Sequence, residues 1–310
     1  MNAPEGPKAA ATRSHAHGSG SGFAFGFAAY ALWGVLPVYF KALADVDPVD
    51  IVAHRVLWSV PFLAILITLT RTWAKVRFAC ARPQTLGMLA LTAILIGTNW
   101  LLYVYAVTSG HILAASFGYY LNPLANVLLG RFVLREKLNR LQWTAVAIAA
   151  AGISILAAGA LSQLWLSLAL CVTFALYGLF RKIVLADALT GLAIETSILF
   201  PFAIATLGWG ALASLPVLGT TVRDTELLAL SGIVSTTPLL LFTAATKRLQ
   251  YSTLGMLQFV APTLQFLIAV LLYGERVTIA HAIAFPAIWL ALVLYVIAML
   301  SAPRLPQAPE

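Results

Sequence analysis

Hydrophobic stretches of about twenty residues alternate with short polar segments along almost the whole chain. A helix needs about 20 apolar residues to cross the hydrocarbon core of a bilayer. Short connections between such helices make neighbours antiparallel and leave no room for a soluble domain. The pattern therefore predicts an all-α integral membrane protein. Its ten transmembrane helices are predicted at 23–41, 50–71, 86–108, 111–130, 141–159, 162–181, 190–212, 226–246, 251–273 and 277–300.

The composition supports lipid, not water, as the main surrounding. Hydrophobic residues make up 61% of the 310 positions and charged residues 10%, whereas a soluble domain carries roughly 25% charged residues. The net charge of +8 is spread over short loops and forms no single basic face, so no nucleic-acid partner is expected. Cys80 and Cys171 form no motif, and neither a metal site nor a cofactor is predicted.

The distribution of Lys and Arg predicts the orientation. With the N-terminus in the cytoplasm, fifteen of these cations fall on the cytoplasmic side and three on the outer side, as the positive-inside rule requires. We therefore expect a multi-pass protein of the bacterial inner membrane with both termini in the cytoplasm. Residues 1–22 are predicted to form a flexible tail and residues 301–310 a second tail.

An internal repeat appears when the two halves are compared. Pro123 and Pro262 lie 139 residues apart, and so do Glu136 and Glu275. The matches keep chain order, so the five helices of 23–160 correspond to the five of 161–300. Because five is odd, the second half must enter the membrane from the opposite side. Inverted repeats of this kind are typical of transporters that bind solute near the bilayer midplane.

Six segments carry a resemblance to a known family: His54–Ser59, Thr98–Tyr103, Ser116–Leu124, Phe174–Lys182, Thr237–Phe242 and Leu257–Thr263. Through them the chain resembles the drug/metabolite transporter superfamily, specifically its EamA-type members and most closely the RarD proteins. The resemblance implies ten helices in two inverted five-helix repeats. It also implies export of small metabolites or drugs.

Two charged residues stand out because they lie inside the predicted spans and away from the span ends, and charge there is costly and often functional. Arg55 and Glu195 are 140 residues apart, the spacing that also relates Pro61 to Pro201. One interpretation is that each side chain reaches its nearer interface or joins a structural ion pair. The other is a direct role in transport, with Glu195 taking up the coupled proton. His54 can equally be a proton carrier or a hydrogen-bonded structural residue.

Polar and aromatic residues near the middle of the spans are candidates for a solute cavity. They are Trp33, Asn99, Trp100, Tyr103, Tyr119, Asn122, Tyr177 and Gln258. The three amides among them can equally hold helices together by interhelical hydrogen bonds. Pro123 and Pro262 remove helix hydrogen bonds at repeat-equivalent positions, which predicts a pair of hinges.

A secondary transporter is the function that these features favour. It would move a small solute by alternating access, and protons are the candidate coupling ion. A channel and an intramembrane enzyme are the alternatives. The sequence has no His-Glu-x-x-His motif and no phosphate-binding glycine loop, so neither a metalloprotease nor an ATP-driven pump is expected. Solute identity and oligomeric state are open.

Overall fold

All regular elements in the described part of the protein are α-helices. The computed structural model describes residues 7–109, 111–156, 164–213, 218–274 and 277–301, and no strand occurs among them. This confirms the all-α prediction, since a helix satisfies its own backbone hydrogen bonds in lipid. The helices are α1 Pro7–Lys41, α2 Pro48–Leu69, α3 Trp73–Cys80, α4 Pro83–Thr108, α5 Ile112–Phe132, α6 Arg140–Leu156, α7 Leu164–Ile183, α8 Ala188–Leu212, α9 Val222–Thr246, α10 Tyr251–Leu257, α11 Val260–Leu271 and α12 Ile279–Leu300.

Eight segments of this part of the chain are long and apolar enough to cross a membrane. They lie in α1, α2, α4, α7, α8, α9, the α10–α11 pair and α12, and each coincides with a predicted span. Helices α5 and α6 coincide with the other two predicted spans, and the described part of α6 ends at Leu156. The protein is thus a multi-pass membrane protein, while the total of ten spans stays a prediction.

The N-terminal helix is longer than its membrane-crossing part. Helix α1 begins at Pro7 and so extends into the segment for which the sequence predicts a flexible tail. Alanines at positions 9–11 favour helix there. The apolar part begins at Gly20 and ends at Lys41. Of the predicted C-terminal tail, all but Ser301 lies outside the described residues.

The two faces of the helix bundle are named here after the ends of α1. At the Gly20 end, Gly22 packs against Arg248 and Leu249, where α9 gives way to α10. At the Lys41 end, the ammonium of Lys41 lies 3.4 Å from the centre of the Tyr273 ring.

The helices pack in matching pairs. Helix α1 contacts α9 and α11, and α7 contacts α4 and α5. Helix α2 packs against α8, α5 against α10, and α6 against α12. Small residues allow the closest approaches. At Gly232 of α9, a methyl group would overlap the backbone of Trp58 in α2.

The two prolines that are predicted to be repeat-equivalent have different surroundings. Helix α5 continues through Pro123 from Ile112 to Phe132. By contrast, helical structure is interrupted at Gln258 and Phe259, between α10 and α11. Pro262 follows this break and has no N–H to donate to the carbonyl of Gln258, four residues earlier. Of the two predicted hinges, Pro123 therefore lies in a continuous helix and Pro262 lies just after a break in the helix.

Candidate functional site

Arg55 stands in the middle of an aromatic site in the half of the bundle nearer the Lys41 end. Helix α2 carries Arg55, and its Nε donates a 2.7 Å hydrogen bond to Ser235 Oγ on α9. The guanidinium carbon lies 4.7 Å from the centre of the Trp100 ring on α4, within the range of a cation–π interaction. The Phe40 ring is 5.8 Å away. These contacts fix the guanidinium between three helices.

Two tyrosines complete this surrounding. Tyr103 and Tyr119 have ring centres 5.9 Å apart, and both lie within electrostatic range of Arg55. Tyr119 donates its hydroxyl hydrogen to Asn99 Oδ1 at 3.1 Å. Tyr103 is 38% exposed, so one side of this site is not covered by the described protein. Arg55, Trp100, Tyr103, Tyr119 and Ser235 are called the Arg55 site below.

Asn99 acts as the support of this site. Its amide nitrogen donates to Leu170 O and to Thr173 Oγ1 on α7, both at 2.9 Å. Asn99 is buried, and its amide joins α4 to α7 while its oxygen holds Tyr119. Of the two roles that the sequence allows for Asn99, the contacts correspond to the interhelical one.

Glu195 belongs to a different, fully buried network. Its Oε1 lies 3.5 Å from Arg181 Nε, and the two side chains are 1% and 0% exposed. Thr92 donates to Glu195 Oε1 at 2.5 Å, and Tyr177 donates to Oε2 at 3.4 Å. Glu195, Arg181, Thr92 and Tyr177 are called the Glu195 network below. It joins α8, α7 and α4.

Of the alternatives that the sequence leaves open for Glu195, these contacts correspond to the structural ion pair. The carboxylate finds its countercharge inside the bundle, because Arg181 turns inward from the last turn of α7. Arg181 is one of the fifteen cations that the positive-inside rule assigns to the cytoplasmic side. Arg55, for its part, contacts Ser235 and aromatic rings, so the two charges that the sequence predicts to be repeat-equivalent have different partners.

A glycine makes room for Arg181. A methyl group at Gly191 of α8 would overlap the guanidinium Nη1 of Arg181. The Nη2 group donates to Ala188 O at 3.2 Å and lies 3.4 Å from Asp187 O. Nε and Nη1 are buried without a hydrogen bond to any described residue. The ion pair with Glu195 therefore provides most of the stabilisation that offsets the burial of the Arg181 charge.

A continuous path of aromatic rings connects the two charged regions. Tyr119 contacts Phe174 with ring centres 6.4 Å apart, and Phe174 contacts Tyr177 at 6.2 Å. Phe242 stacks on Tyr177 at 6.2 Å, and Trp33 joins it at 5.5 Å. Trp33, Phe174 and Phe242 thus form an apolar partition between the Arg55 site and the Glu195 network, and Tyr177 is the member of that network that contacts it. Tyr177 is fully buried.

Further contacts tie the Gly20 end together. Glu136 accepts hydrogen bonds from the backbone nitrogens of Tyr251 at 2.5 Å and Ser252 at 2.9 Å, and from Ser252 Oγ at 2.6 Å. It therefore caps the N-terminus of α10, as expected for a carboxylate at a helix start. Lys182 donates to the carbonyls of Thr246 and Leu249. Glu275, the repeat equivalent of Glu136, lies outside the described residues.

The remaining candidate residues lie in the interior of the helix bundle. Asn126 donates to Gln258 Oε1 at 3.0 Å across α5 and the α10–α11 break. Asn122 is fully buried, and its amide has no hydrogen bond to any described residue. His54 is also fully buried. Asn122, Gln258 and His54 are thus buried within the bundle.

Sequence reasoning did not identify several of these partners. Ser235 and Thr92 look like ordinary polar residues of a span, and Gly191 like an ordinary small one. Only the packing of helices distant in sequence brings them to a charge. The one available signal was the polarity of Ser235 and Thr92 in otherwise apolar stretches.

Comparison with known proteins places the chain among bacterial transporters. Residues 20–158 match the EamA-like transporter family. An "Uncharacterized transporter" of Vibrio cholerae serotype O1 is 45% identical over 86% of this chain and 89% of that protein. "Protein RarD" of Escherichia coli strain K12 is 42% identical over 87% and 91%. "Chloramphenicol-sensitive protein RarD" of Pseudomonas aeruginosa is 35% identical over 86% and 90%.

A solved structure has the same overall fold. It is described only as "Crystal structure of protein", and it superposes with a TM-score of 0.70 over 90% of this chain and 99% of that chain. Sequence identity is 20%, so the likeness concerns the fold alone.

Proposed function

The chain belongs to the EamA-like transporter family, and from this premise we propose that it is a secondary active transporter of the bacterial inner membrane. It exports small metabolites or drugs by alternating access. Two inverted five-helix repeats, 23–160 and 161–300, form the moving halves. The N- and C-termini lie in the cytoplasm, which makes the Gly20 end cytoplasmic and the Lys41 end external.

The pairing of helices supports the inverted repeat. In the proposed correspondence, α1, α2, α4, α5 and α6 match α7, α8, α9, α10–α11 and α12. The contacts of α1 with α9 and α11 then correspond to those of α7 with α4 and α5. The contacts of α2 with α8, α5 with α10 and α6 with α12 each join equivalent elements. A twofold axis in the membrane plane accounts for this arrangement.

The observation that carries the proposal is the contrast between the two intramembrane charges. The Glu195 network is buried and internally paired, whereas the Arg55 site is partly exposed through Tyr103. A carrier needs one closed and one open side in each state, with an exchange of the two during transport. We propose that this structure represents the state closed at the Gly20 end.

Proton coupling is the finer part of the proposal. Protonation of Glu195 removes one charge from its pair with Arg181, which weakens the closure of the Gly20 end. An intramembrane carboxylate paired with a cation is a common arrangement in proton-driven transporters. Transport by Glu195→Gln that kept its full dependence on a proton gradient would contradict this role.

Reconstitution into liposomes tests the proposed function. The purified full-length protein is assayed with labelled amino acids, nucleosides and chloramphenicol, with and without an imposed proton gradient. A carrier is expected to give saturable flux and counterflow with at least one solute. Flux that never saturates and shows no counterflow would indicate a channel. Consumption of a solute in detergent, without any gradient, would indicate an enzyme.

A further inference from the structure

Arg55 has more hydrogen-bonding capacity than its surroundings use. Of its guanidinium, Nε alone has a hydrogen bond to a described residue, and no carboxylate of the described residues forms an ion pair with it. Arg181 Nη1 is buried without a hydrogen-bond partner, whereas neither Nη atom of Arg55 is. The two terminal nitrogens therefore remain accessible for an external acceptor.

The orientation of the guanidinium suits one kind of acceptor. Ser235 holds Nε, and the Trp100 ring lies against the guanidinium carbon. These two contacts leave the edge of the guanidinium that carries the two Nη atoms available, with its paired N–H groups. That edge matches the two oxygens of a carboxylate in a bidentate arrangement. Such a pair is stronger in a site with little water than at an open surface.

The walls around Arg55 suit an aromatic or apolar body. Trp100 and Tyr103 present ring surfaces, and Tyr119 lies 5.9 Å from Tyr103. The Tyr119 hydroxyl is already donated to Asn99, whereas no hydrogen bond of the Tyr103 hydroxyl to a described residue is seen. Tyr103 can thus offer one further polar contact beside the rings.

We infer that Arg55 binds the carboxylate of the transported solute and that Trp100, Tyr103 and Tyr119 receive its aromatic or apolar body. Ser235 is a positioning residue that orients the guanidinium through Nε. The inference rests on the proposed function, since it assigns a solute class to the same transporter. It names aromatic carboxylates as that class.

Binding of matched probes to the purified full-length protein in detergent tests the inference. Radiolabelled indole-3-acetate serves as the probe, and unlabelled indole-3-acetate, indole-3-acetamide and phenylphosphonate compete with it. The acetamide keeps the ring and loses the charge. We expect the wild-type protein to bind the acid at least tenfold more tightly than the amide, and phenylphosphonate to compete less well than the acid.

Variants locate the preference. Arg55→Gln should bind acid and amide equally weakly, and Arg55→Lys should retain only part of the preference, because a lysine lacks the planar fork. Ser235→Ala should lower the ratio of acid to amide affinity several-fold. Arg140→Gln changes an exposed arginine at the start of α6 and should leave the ratio unchanged.

The outcomes separate this inference from the proposed function. Equal binding of acid and amide by the wild type, no binding of either, or an acid preference retained in Arg55→Gln would overturn the inference. The first of these needs no variant, so misfolding of Arg55→Gln cannot hide a negative result. Saturable counterflow of neutral solutes alone would keep the transporter and reject the carboxylate class. Acid-selective binding without any flux would keep the carboxylate site and reject the transporter.

Discussion

The Arg55 site and the Glu195 network are built on two charges that the predicted repeat would make equivalent, and they handle an intramembrane charge in opposite ways. Glu195 is matched by Arg181 within the protein and excluded from solvent. Arg55 is oriented by a hydroxyl and aromatic rings and keeps accessible donors. A charge that is already paired can close a passage, whereas a charge with spare donors can bind a ligand. The proposals above therefore give closure to the Glu195 network and recognition to the Arg55 site.

The largest expected effect concerns stability. Arg181→Gln leaves the Glu195 carboxylate buried without a countercharge, which should lower the free energy of unfolding by ~3–5 kcal/mol. Arg55→Gln removes a half-buried side chain whose hydrogen bond is worth about 0.5–1.5 kcal/mol. Unfolding by a denaturing detergent measures both. The double variant Arg181→Met with Glu195→Leu should recover most of the stability lost in Arg181→Gln. Equal losses of stability in Arg181→Gln and Arg55→Gln would contradict the comparison.

The next largest effect tests whether Arg181 needs the space that Gly191 leaves in α8. Gly191→Ala should displace the guanidinium and cost about 1–3 kcal/mol, as overpacking does. Gly208→Ala on the same helix is the matched control, because nothing lies within 4 Å of a methyl group there. That control should be neutral or more stable by up to about 1 kcal/mol. Similar behaviour of the two alanine variants in thermal unfolding would argue against a tight fit at Gly191.

A smaller effect is expected from the cap of α10. Glu136→Ala removes the acceptor of two backbone N–H groups and one hydroxyl and should cost about 1–2 kcal/mol. Glu226→Ala removes an exposed carboxylate near the start of α9 and should change stability by less than about 0.5 kcal/mol. If Glu136→Ala unfolds like the wild type, this contact does not help to hold the Gly20 end closed.

The smallest effect concerns the N-cap of α8, beside the Glu195 network. Asp187 accepts from Thr190 N at 2.8 Å and pairs with Lys75 at 3.3 Å. Burial raises the pKa of Asp187, but the bonds from Thr190 and Lys75 lower it by more, so the pKa lies below its usual value. Asp187→Ala should cost about 1 kcal/mol, and Asp187→Asn less, because Asn also caps helices.

Acid should remove the same contribution. Because the folded-state pKa is depressed, the stabilisation by Asp187 is present above the unfolded-state value of about 3.9 and is lost as the pH falls through the folded-state pKa. Asp187→Asn should therefore unfold with a weaker dependence on pH below 4 than the wild type. An unchanged acid dependence would show that the ionised carboxylate contributes nothing here.

The positions of the spans could be predicted because membrane crossing is a local property of the chain. Each span needs its own apolar stretch, and Gly20–Lys41 or Pro48–Leu69 can be recognised without knowing any neighbour. Arg55 and Glu195 were identified for the same reason, since a charge in an apolar stretch is conspicuous. The spacing of Glu136 from Glu275 is also visible in the sequence, whereas its cap on α10 is seen only in the contacts.

The partners of those charges could not be predicted, because they depend on how distant helices pack. Arg181 stands next to Lys182 at the end of a span, which favours the interpretation of both as interface cations. Only the packing of α7 on α4, and the close approach of Gly191, turns Arg181 inward. Likewise, Pro123 and Pro262 look equivalent in sequence, yet the helix is broken only before Pro262.

Cysteine labelling tests the assignment of closure and recognition most directly. In a variant without Cys80 and Cys171, Tyr103→Cys reports on the Arg55 site and Thr92→Cys on the Glu195 network. A water-soluble maleimide in detergent should modify position 103 rapidly and position 92 slowly. Adding Arg181→Gln should speed labelling at position 92 at least tenfold and slow it at position 103. Rapid labelling of both positions in one state, or no response to Arg181→Gln, would contradict the account.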